Sequence, residues 1–219
     1  MKYVRIADLS ITDRLDLTLI QDVNRFRLLD ACRAVTNYGF NSLVIPSYVL
    51  EKVRLKFPKL RLTVISNYPY GFNDIEVVLK EITTITALVE DCSNLWIEFV
   101  LPPILPPLFK SFIVDFKRFN DWVKLIAVLP VGYEKEVLFK LDKCPVAFDY
   151  IGLGTGMQSN ENIVSLYETY GKQIKKMGYK IKLNGNFNNY EEVKSLLNHG
   201  IELVGCVDAY KVIHEKVEA

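Results

Sequence analysis

The segment VAFDYIGLGTGMQSNENIVSLYETYGKQIKKMGYKIKLNG, residues 146–185, contains two strand-like runs separated by a helical pattern. The runs 146–154 and 179–185 are short and rich in β-branched and aromatic residues, which is typical of buried strands. Between them, apolar residues recur at helical spacing after Ser159, a residue type that favours a helix start, and the pattern stops at Gly178. Because two strands joined by a helix lie parallel in one sheet, this segment predicts a βαβ unit.

The same alternation of strand and helix runs through the whole chain. Eight segments have strand character, and they are residues 3–9, 40–46, 61–69, 94–102, 123–130, 146–154, 179–185 and 201–208. Eight β-then-α units with short connections predict an α/β fold, a closed (β/α)8 TIM barrel in a single domain over residues 1–219. An open, doubly wound sheet is the alternative architecture.

Residue types at the helix ends support these units. Gly39 and Gly200 are each predicted to end a helix, because glycine readily adopts the left-handed conformation that follows the last turn. Asn73 and Asn189 are each followed by glutamate three residues later, a pattern that marks a helix start. Residues 209–219 are predicted to form a last short helix.

Composition and charge exclude several classes of function. The 219 residues are 50% hydrophobic, and 27 basic against 26 acidic residues give a net charge of +1. Because no basic stripe stands out, nucleic acid is not expected as a partner. No apolar run reaches the ~18 residues of a membrane span, and the N-terminal segment lacks the apolar core of a secretory signal. We therefore expect neither membrane insertion nor export.

The residue types that most often carry redox or metal chemistry are scattered. The four cysteines have no C-x-x-C spacing, and they are Cys32, Cys92, Cys144 and Cys206. Free thiols in a reducing cytoplasm are therefore expected. In a barrel of this kind the functional site lies at the mouth, the end formed by the carboxyl ends of the strands. His199 and His214 lie away from this end, so the sequence predicts no metal site and no cofactor.

Three alternating glycines, Gly152, Gly154 and Gly156, follow the sixth predicted strand. A dinucleotide-binding fingerprint would follow the first strand and would carry its third glycine where this chain has Met157. A phosphate-binding loop would end in Gly-Lys-Ser or Gly-Lys-Thr, which this stretch lacks. The glycines therefore do not indicate a nucleotide site.

Alternation along the strands assigns side chains to the inside of the barrel. On the seventh predicted strand Lys182 and Asn184 face inward, because their apolar neighbours suit the helix layer. The same reasoning places four more residues inside, and they are Trp96, Glu98, Tyr150 and Gly152. An unpaired charge there is costly. Lys182 and Glu98 are therefore either an ion pair that fills the barrel or a catalytic pair in which burial lowers the pKa of the lysine.

In this order the segments resemble the deoxyribose-phosphate aldolases, which are class I aldolases with a (β/α)8 barrel. The resemblance rests on YGFNSLVIPSYV (38–49), TVISNYPYGFNDIEVVLKEI (63–82), NLWIEFVLP (94–102), VKLIAVLP (123–130), FDYIGLGTG (148–156) and YKIKLNGNF (179–187) for strands two to seven. It covers nearly the whole chain in element order, at low residue identity, and no family motif is intact.

The resemblance implies roles for individual residues. Glu98 matches a carboxylate that relays protons, and Lys182 matches a lysine that lowers the pKa of its catalytic neighbour. The lysine that forms the Schiff base in the family is replaced here by Gly152. The other residues of the implied substrate site are Gly154, Asn184, Gly185, Asn186 and Asp208.

The resemblance also implies what would bind. The phosphate-binding positions are altered, since Asn186 replaces a glycine and Asp208 would repel a phosphate dianion. The expected ligand is therefore a non-phosphorylated small carbonyl compound or a sugar-like molecule. A homodimer is a further expectation from the resemblance alone.

Three functional hypotheses remain open from the sequence. In the first, the chain is a carbon–carbon lyase in which Lys182 forms the imine and Glu98 moves protons. In the second, it is a catalytically inactive barrel used for binding or regulation. In the third, Glu98 and Asp208 act as acid and base or hold a divalent cation. The usual aldolase mechanism is not expected in any of them.

Overall fold

A computed structural model describes residues 4–6, 9–21, 23–89, 94–143, 146–207 and 209–216. Its strands are β1 (Val4–Ile6), β2 (Leu15–Thr18), β3 (Ser42–Pro46), β4 (Leu62–Ser66), β5 (Leu95–Val100), β6 (Lys124–Val128), β7 (Tyr150–Leu153), β8 (Lys180–Gly185), β9 (Leu203–Cys206) and β10 (His214–Lys216). The helices are α1 (Arg25–Tyr38), α2 (Leu50–Lys56), α3 (Ile75–Ala87), α4 (Pro107–Phe119), α5 (Glu134–Lys143), α6 (Asn160–Lys176), α7 (Tyr190–Asn198) and α8 (Ala209–Ile213).

Strands β2 to β9 form a closed parallel barrel. Each strand pairs with the next along the chain, and β9 returns to pair with β2. The helices between the strands cover the outside, as right-handed crossovers require. The prediction of a (β/α)8 barrel is therefore confirmed, and the alternative of an open sheet is wrong.

The first predicted strand is not part of the barrel. Residues 4–6 do form a strand, β1, but it pairs antiparallel with β10 in a separate two-stranded sheet. The first barrel strand is instead β2, which has only four residues and carries a buried aspartate in the middle of LDLT. The predicted last helix is also shorter than expected, because α8 ends at Ile213 and β10 follows it.

Most predicted helix ends are where the sequence placed them. The side chains of Ser159 and Asn189 accept hydrogen bonds from backbone N–H groups in the first turns of α6 and α7. Gly39 ends α1 with a φ of 70°, in the left-handed region that glycine adopts readily. The predicted start at Asn73 is wrong by one residue, since Asp74 is the cap and accepts from the N–H of Glu76.

The barrel has two apolar regions because side chains alternate across each strand. Outward-facing residues pack against the helices in the main core, for example Ile97 and Phe99 of β5. Inward-facing Val100, Ile126 and Val128 form a separate buried cluster inside the barrel. Among the helices of the described residues, none is long and apolar enough to cross a membrane.

Arg14 ties the closing strands together. Its guanidinium group donates to the backbone oxygen of Leu197 (3.2 Å), in the last turn of α7, and to those of Glu202 (3.3 Å) and Ile201, in the connection from α7 to β9. Arg14 lies directly before β2, so these hydrogen bonds hold the first barrel strand beside the last.

We expect Arg14→Ala to lower the free energy of unfolding by about 2 kcal/mol, since hydrogen bonds from a charged donor are lost at a partly buried site. Urea unfolding followed by circular dichroism would measure this change. Arg33→Ala is the control, because Arg33 makes an exposed ion pair with Asp30 at 3.6 Å, and should cost less than about 0.5 kcal/mol. Equal costs for both variants would contradict the role given to Arg14.

Candidate functional site

Three charged side chains meet at the centre of the barrel. The Nζ of Lys182, on β8, lies 2.6 Å from Asp16 Oδ2 and 2.6 Å from Glu98 Oε2. Asp16 lies on β2 and Glu98 on β5, so the contacts join strands on different sides of the barrel. The exposed fraction of each side chain is 1% or less. We refer to Lys182, Asp16 and Glu98 as the ion triad.

Hydrogen bonds occupy the remaining carboxylate oxygens of the ion triad. Asn184 donates through Nδ2 to Glu98 Oε1 at 2.7 Å. Asn41 Nδ2 and Ser42 Oγ donate to Asp16 Oδ1 at 2.7 and 2.8 Å. Because both carboxylates are fully engaged by the protein, their burial is compensated. Glu98 is thus held in place by its partners.

Gly205 of β9 makes room for this network. An added Cβ at Gly205 would lie 2.4 Å from Asn184 Oδ1 and 3.2 Å from Lys182 Cε. A side chain at this position would therefore displace the asparagine that holds Glu98 and press on the lysine.

The ion triad keeps Lys182 protonated. Burial by itself would lower the pKa of Lys182, but the charges of Asp16 and Glu98 outweigh it and raise the pKa above the ordinary value of 10.5. Of the two alternatives for Lys182 and Glu98, the structure shows the ion pair, with Asp16 as a second carboxylate, and contradicts a lowered pKa. Since the folded-state value is raised, the stability that Lys182 contributes is fully present below about pH 10 and declines only in more alkaline solution.

Val128 closes the position that the resemblance assigns to an imine-forming lysine. A Cβ at Gly152 would lie 2.8 Å from Val128 Cγ2 and 3.4 Å from Val128 Cα. Val128 pairs with Gly152 across β6 and β7 and belongs to the inner apolar cluster. Gly152 therefore marks a site filled by a neighbouring side chain.

Tyr68 crosses the mouth above the ion triad. It follows β4, and its hydroxyl group donates to the backbone oxygen of Thr155, which follows β7, at 2.5 Å. Burial, and then the charge of Glu98, raise the pKa of Tyr68 well above its usual value of 10.0, so it stays a neutral donor. The preceding residue, Asn67, donates to the backbone oxygen of Val100 at 2.8 Å and fixes this loop.

The other predicted substrate-binding residues differ in exposure. Gly154 and Gly185 are buried, and a Cβ would meet the backbone oxygen of Asn184 at 2.7 Å in the first case and the ring of Phe187 at 2.6 Å in the second. Asn184 is 6% exposed. Asn186 is exposed at the mouth, and Asp208 lies outside the described residues.

Trp96 and Tyr150 close the opposite end of the barrel. Each lies at the amino-terminal end of its strand, and their ring centroids are 5.4 Å apart. Arg61 lies over the ring of Trp96 and Lys180 over that of Tyr150, at 5.9 and 5.6 Å from the centroids. Both aromatic residues face inward as predicted, but they do not cover the mouth.

Sequence reasoning missed Asp16 and Tyr68. Asp16 had a usable signal, because in LDLT it lies between Leu15 and Leu17, which alternation turns toward the helices. Residues 3–9 have the stronger strand pattern, and this pattern draws the prediction of the first barrel strand away from Asp16. Tyr68 lies outside any strand, so alternation could not place it.

Comparison with solved structures relates this geometry to known proteins. The deoxyribose phosphate aldolase from Aeropyrum pernix, described as a unique tetramer, matches with a TM-score of 0.75 at 16% identity, over 94% of this chain and 90% of that one. QR15, an aldolase, matches with a TM-score of 0.72 at 13% identity, over 93% and 94% of the two chains.

The barrel shares its fold with the deoxyribose-phosphate aldolases. At these identities the similarity concerns the fold, and it confirms the fold that the resemblance implied. The sequence matches no protein-family model and none of the curated proteins with which it was compared. The chain is therefore aldolase-like in architecture, and its chemistry has to be argued from its own residues.

We expect Lys182→Met to lower the free energy of unfolding by about 3–5 kcal/mol near neutral pH, because two buried carboxylates lose their cation. The loss should shrink on acidification to about pH 5, since carboxyl groups without a cation take up protons and become neutral. Urea unfolding of both proteins at the two pH values would measure it.

Lys117→Met is the matched control for this substitution. Lys117 lies 2.9 Å from Asp149, but Asp149 is partly exposed and also contacts Lys124 at 3.0 Å. Its loss should cost about 1 kcal/mol and show no recovery at low pH. A Lys182→Met cost as small as this would mean that the ion triad does not hold the barrel together.

We expect Gly152→Ala to cost about 1–3 kcal/mol of unfolding free energy, because its Cβ would overlap Val128. In a Val128→Ala background the same substitution should cost at least about 1 kcal/mol less, since the overlap is removed. A double-mutant cycle by urea unfolding would measure the difference. Equal costs in both backgrounds would show that Val128 does not fill the site.

Proposed function

We propose that the chain is a non-catalytic barrel with an aldolase-like fold, which acts by binding and not by aldol chemistry. The observation that carries this proposal is the clamping of Lys182 between Asp16 and Glu98 at 2.6 Å each, with none of the lysine side chain exposed.

Imine chemistry requires a lysine amine that is neutral and accessible to a carbonyl carbon. Lys182 has neither property, since two carboxylates favour its charged form and burial excludes a ligand. A carbonyl compound would have to displace one carboxylate and leave it buried without a cation, which is costly. The ion triad is thus better suited to stabilising the barrel than to attacking a substrate.

The space above the ion triad also favours a non-catalytic role. Val128 fills the position next to Gly152, and Tyr68 spans the mouth to Thr155. Glu98 is engaged by Lys182 and Asn184, which leaves it poorly placed to hold a cation or to serve as a free base. The surface available for binding is therefore the outer rim of the mouth.

The described connections from strand to helix also disfavour a phosphorylated ligand. Those after β3 to β8 contain no lysine or arginine among their described residues, so a phosphate group would meet no side-chain cation there. This composition agrees with the expectation of a non-phosphorylated binding partner.

A second candidate function is a carbon–carbon lyase acting on a small carbonyl or sugar-like compound. The observation that favours it is that Lys182 and Glu98 meet inside the barrel, as the resemblance implies for catalytic residues. In this alternative the mouth opens and Lys182 passes its proton to a carboxylate. The free amine then adds to the carbonyl carbon of the ligand, and the carbonyl oxygen leaves as water when the imine forms. The exposed Asn186 would then contact the ligand.

Borohydride reduction in the presence of acetaldehyde, glycolaldehyde or deoxyribose 5-phosphate distinguishes the two candidates. We expect no reduced adduct on the Lys182 peptide by mass spectrometry, because a buried ammonium group cannot form an imine. An adduct at Lys182 that is absent from Lys182→Met would overturn the non-catalytic proposal.

The double variant Gly152→Lys/Val128→Ala provides a control for access to the barrel. It adds an amine beside β6 and removes the side chain that fills the space. An adduct at residue 152 in this variant, together with none at Lys182 in the unmodified chain, would support occlusion and charge as the causes of inactivity. Reduced adducts that form only at exposed lysines, in both the unmodified chain and the double variant, are background labelling.

A further inference from the structure

We infer that the rim of the barrel mouth is a docking surface for a second copy of this chain, placed mouth to mouth. The inference rests on the proposed function, because such a dimer covers the entrance that a substrate would use. It is carried by exposed apolar side chains on consecutive strand-to-helix connections, which we call the mouth rim: Tyr48, Tyr70, Phe72, Ile104, Tyr133 and Met157.

The mouth rim brings exposed apolar side chains to one end of the barrel. Its six side chains are between 45% and 75% exposed and follow β3, β4, β5, β6 and β7 in turn. Tyr70 and Phe72 stack with ring centroids 5.7 Å apart and an interplanar angle of 15°. Phe72 and Ile104 line one cavity of about 370 Å³. Tyr70, Phe72 and Ile104 thus share one apolar surface across two neighbouring loops, and an exposed apolar surface of this kind marks an interaction site.

The charge of the mouth rim favours a second copy as the occupant. A two-fold interface brings identical patches together, so any cluster of like charges in the patch would repel itself. The connections after β3 to β8 contain no lysine or arginine among their described residues, and Asp74 is their single described carboxylate. Tyrosine, phenylalanine and methionine are also the residue types enriched in protein interfaces.

The area of the mouth rim matches what a dimer needs. The exposed fractions of its six side chains add up to between three and four complete side chains, or roughly 700 Å² at about 150–250 Å² each. A stable interface buries about 800 Å² on each partner. The mouth rim therefore lies within the standard range of roughly 600–1,000 Å² per partner.

Analytical ultracentrifugation over roughly 1–100 µM tests the inference, since a dimer of moderate affinity dissociates within this range. We expect the unmodified chain to dimerise. Phe72→Asp and Ile104→Asp should each raise the dissociation constant at least about 100-fold, because each places two carboxylates in an apolar interface. Circular dichroism and thermal unfolding would verify that each variant is folded, and the second variant serves if the first does not fold.

Phe119→Asp is the matched control. Phe119 is 77% exposed, as exposed as Phe72 and Ile104, but it lies at the end of α4 and beneath the guanidinium group of Arg118. Its substitution should leave the dissociation constant unchanged. A monomer at all concentrations, or a dimer that both mouth-rim variants leave intact, would overturn the inference. Either result leaves the borohydride test of the proposed function unaffected, whereas an imine at Lys182 would reject the function whatever the oligomeric state.

Discussion

A single ammonium group placed between two carboxylates organises the interior of this barrel. Lys182, Asp16 and Glu98 lie on three separate strands, and the ammonium group contacts both carboxylates. The side chains of Asn41, Ser42 and Asn184 donate hydrogen bonds to the other carboxylate oxygens. A buried ion pair is stable only when each charge has its partners, and here the three charges come from three distant parts of the chain. The correct closure of the barrel and the neutralisation of its charges therefore depend on each other.

Under the proposed function, the same arrangement distinguishes this chain from an imine-forming enzyme of the same architecture. In the resembling family, the strand-seven lysine acts through a neighbouring amine, which Gly152 replaces here. Without that neighbour, the lysine is held by carboxylates alone, and Val128 and Tyr68 occupy the space around them. The position that the resemblance assigns to that amine is thus bordered by apolar side chains, and two carboxylates hold Lys182 in its charged form.

Much of the fold and part of the site could be predicted from the sequence. Strand and helix patterns alternate eight times along the chain, and side chains alternate along each strand. Both periodicities can be read from one sequence, so the barrel and the inward direction of Glu98 and Lys182 were predictable. The identity of β2 could not be fixed so easily, because residues 4–6 are equally strand-like and only pairing with β10 separates them from the barrel. The filling of the space beside Gly152 depends on the register between β6 and β7, and the direction of the lysine pKa shift depends on a carboxylate from a distant strand.

The pairing of β2 with β9 has a consequence for how the chain is made. Leu15 can pair with Val204 only after synthesis has continued through β9, and the contact between β1 and β10 forms later still. Until then Asp16 has no lysine, and one edge of the nascent sheet has no partner. During synthesis there is therefore a long interval in which the barrel sheet is not yet closed, and its unpaired edge is accessible to chaperones and to other copies of the chain.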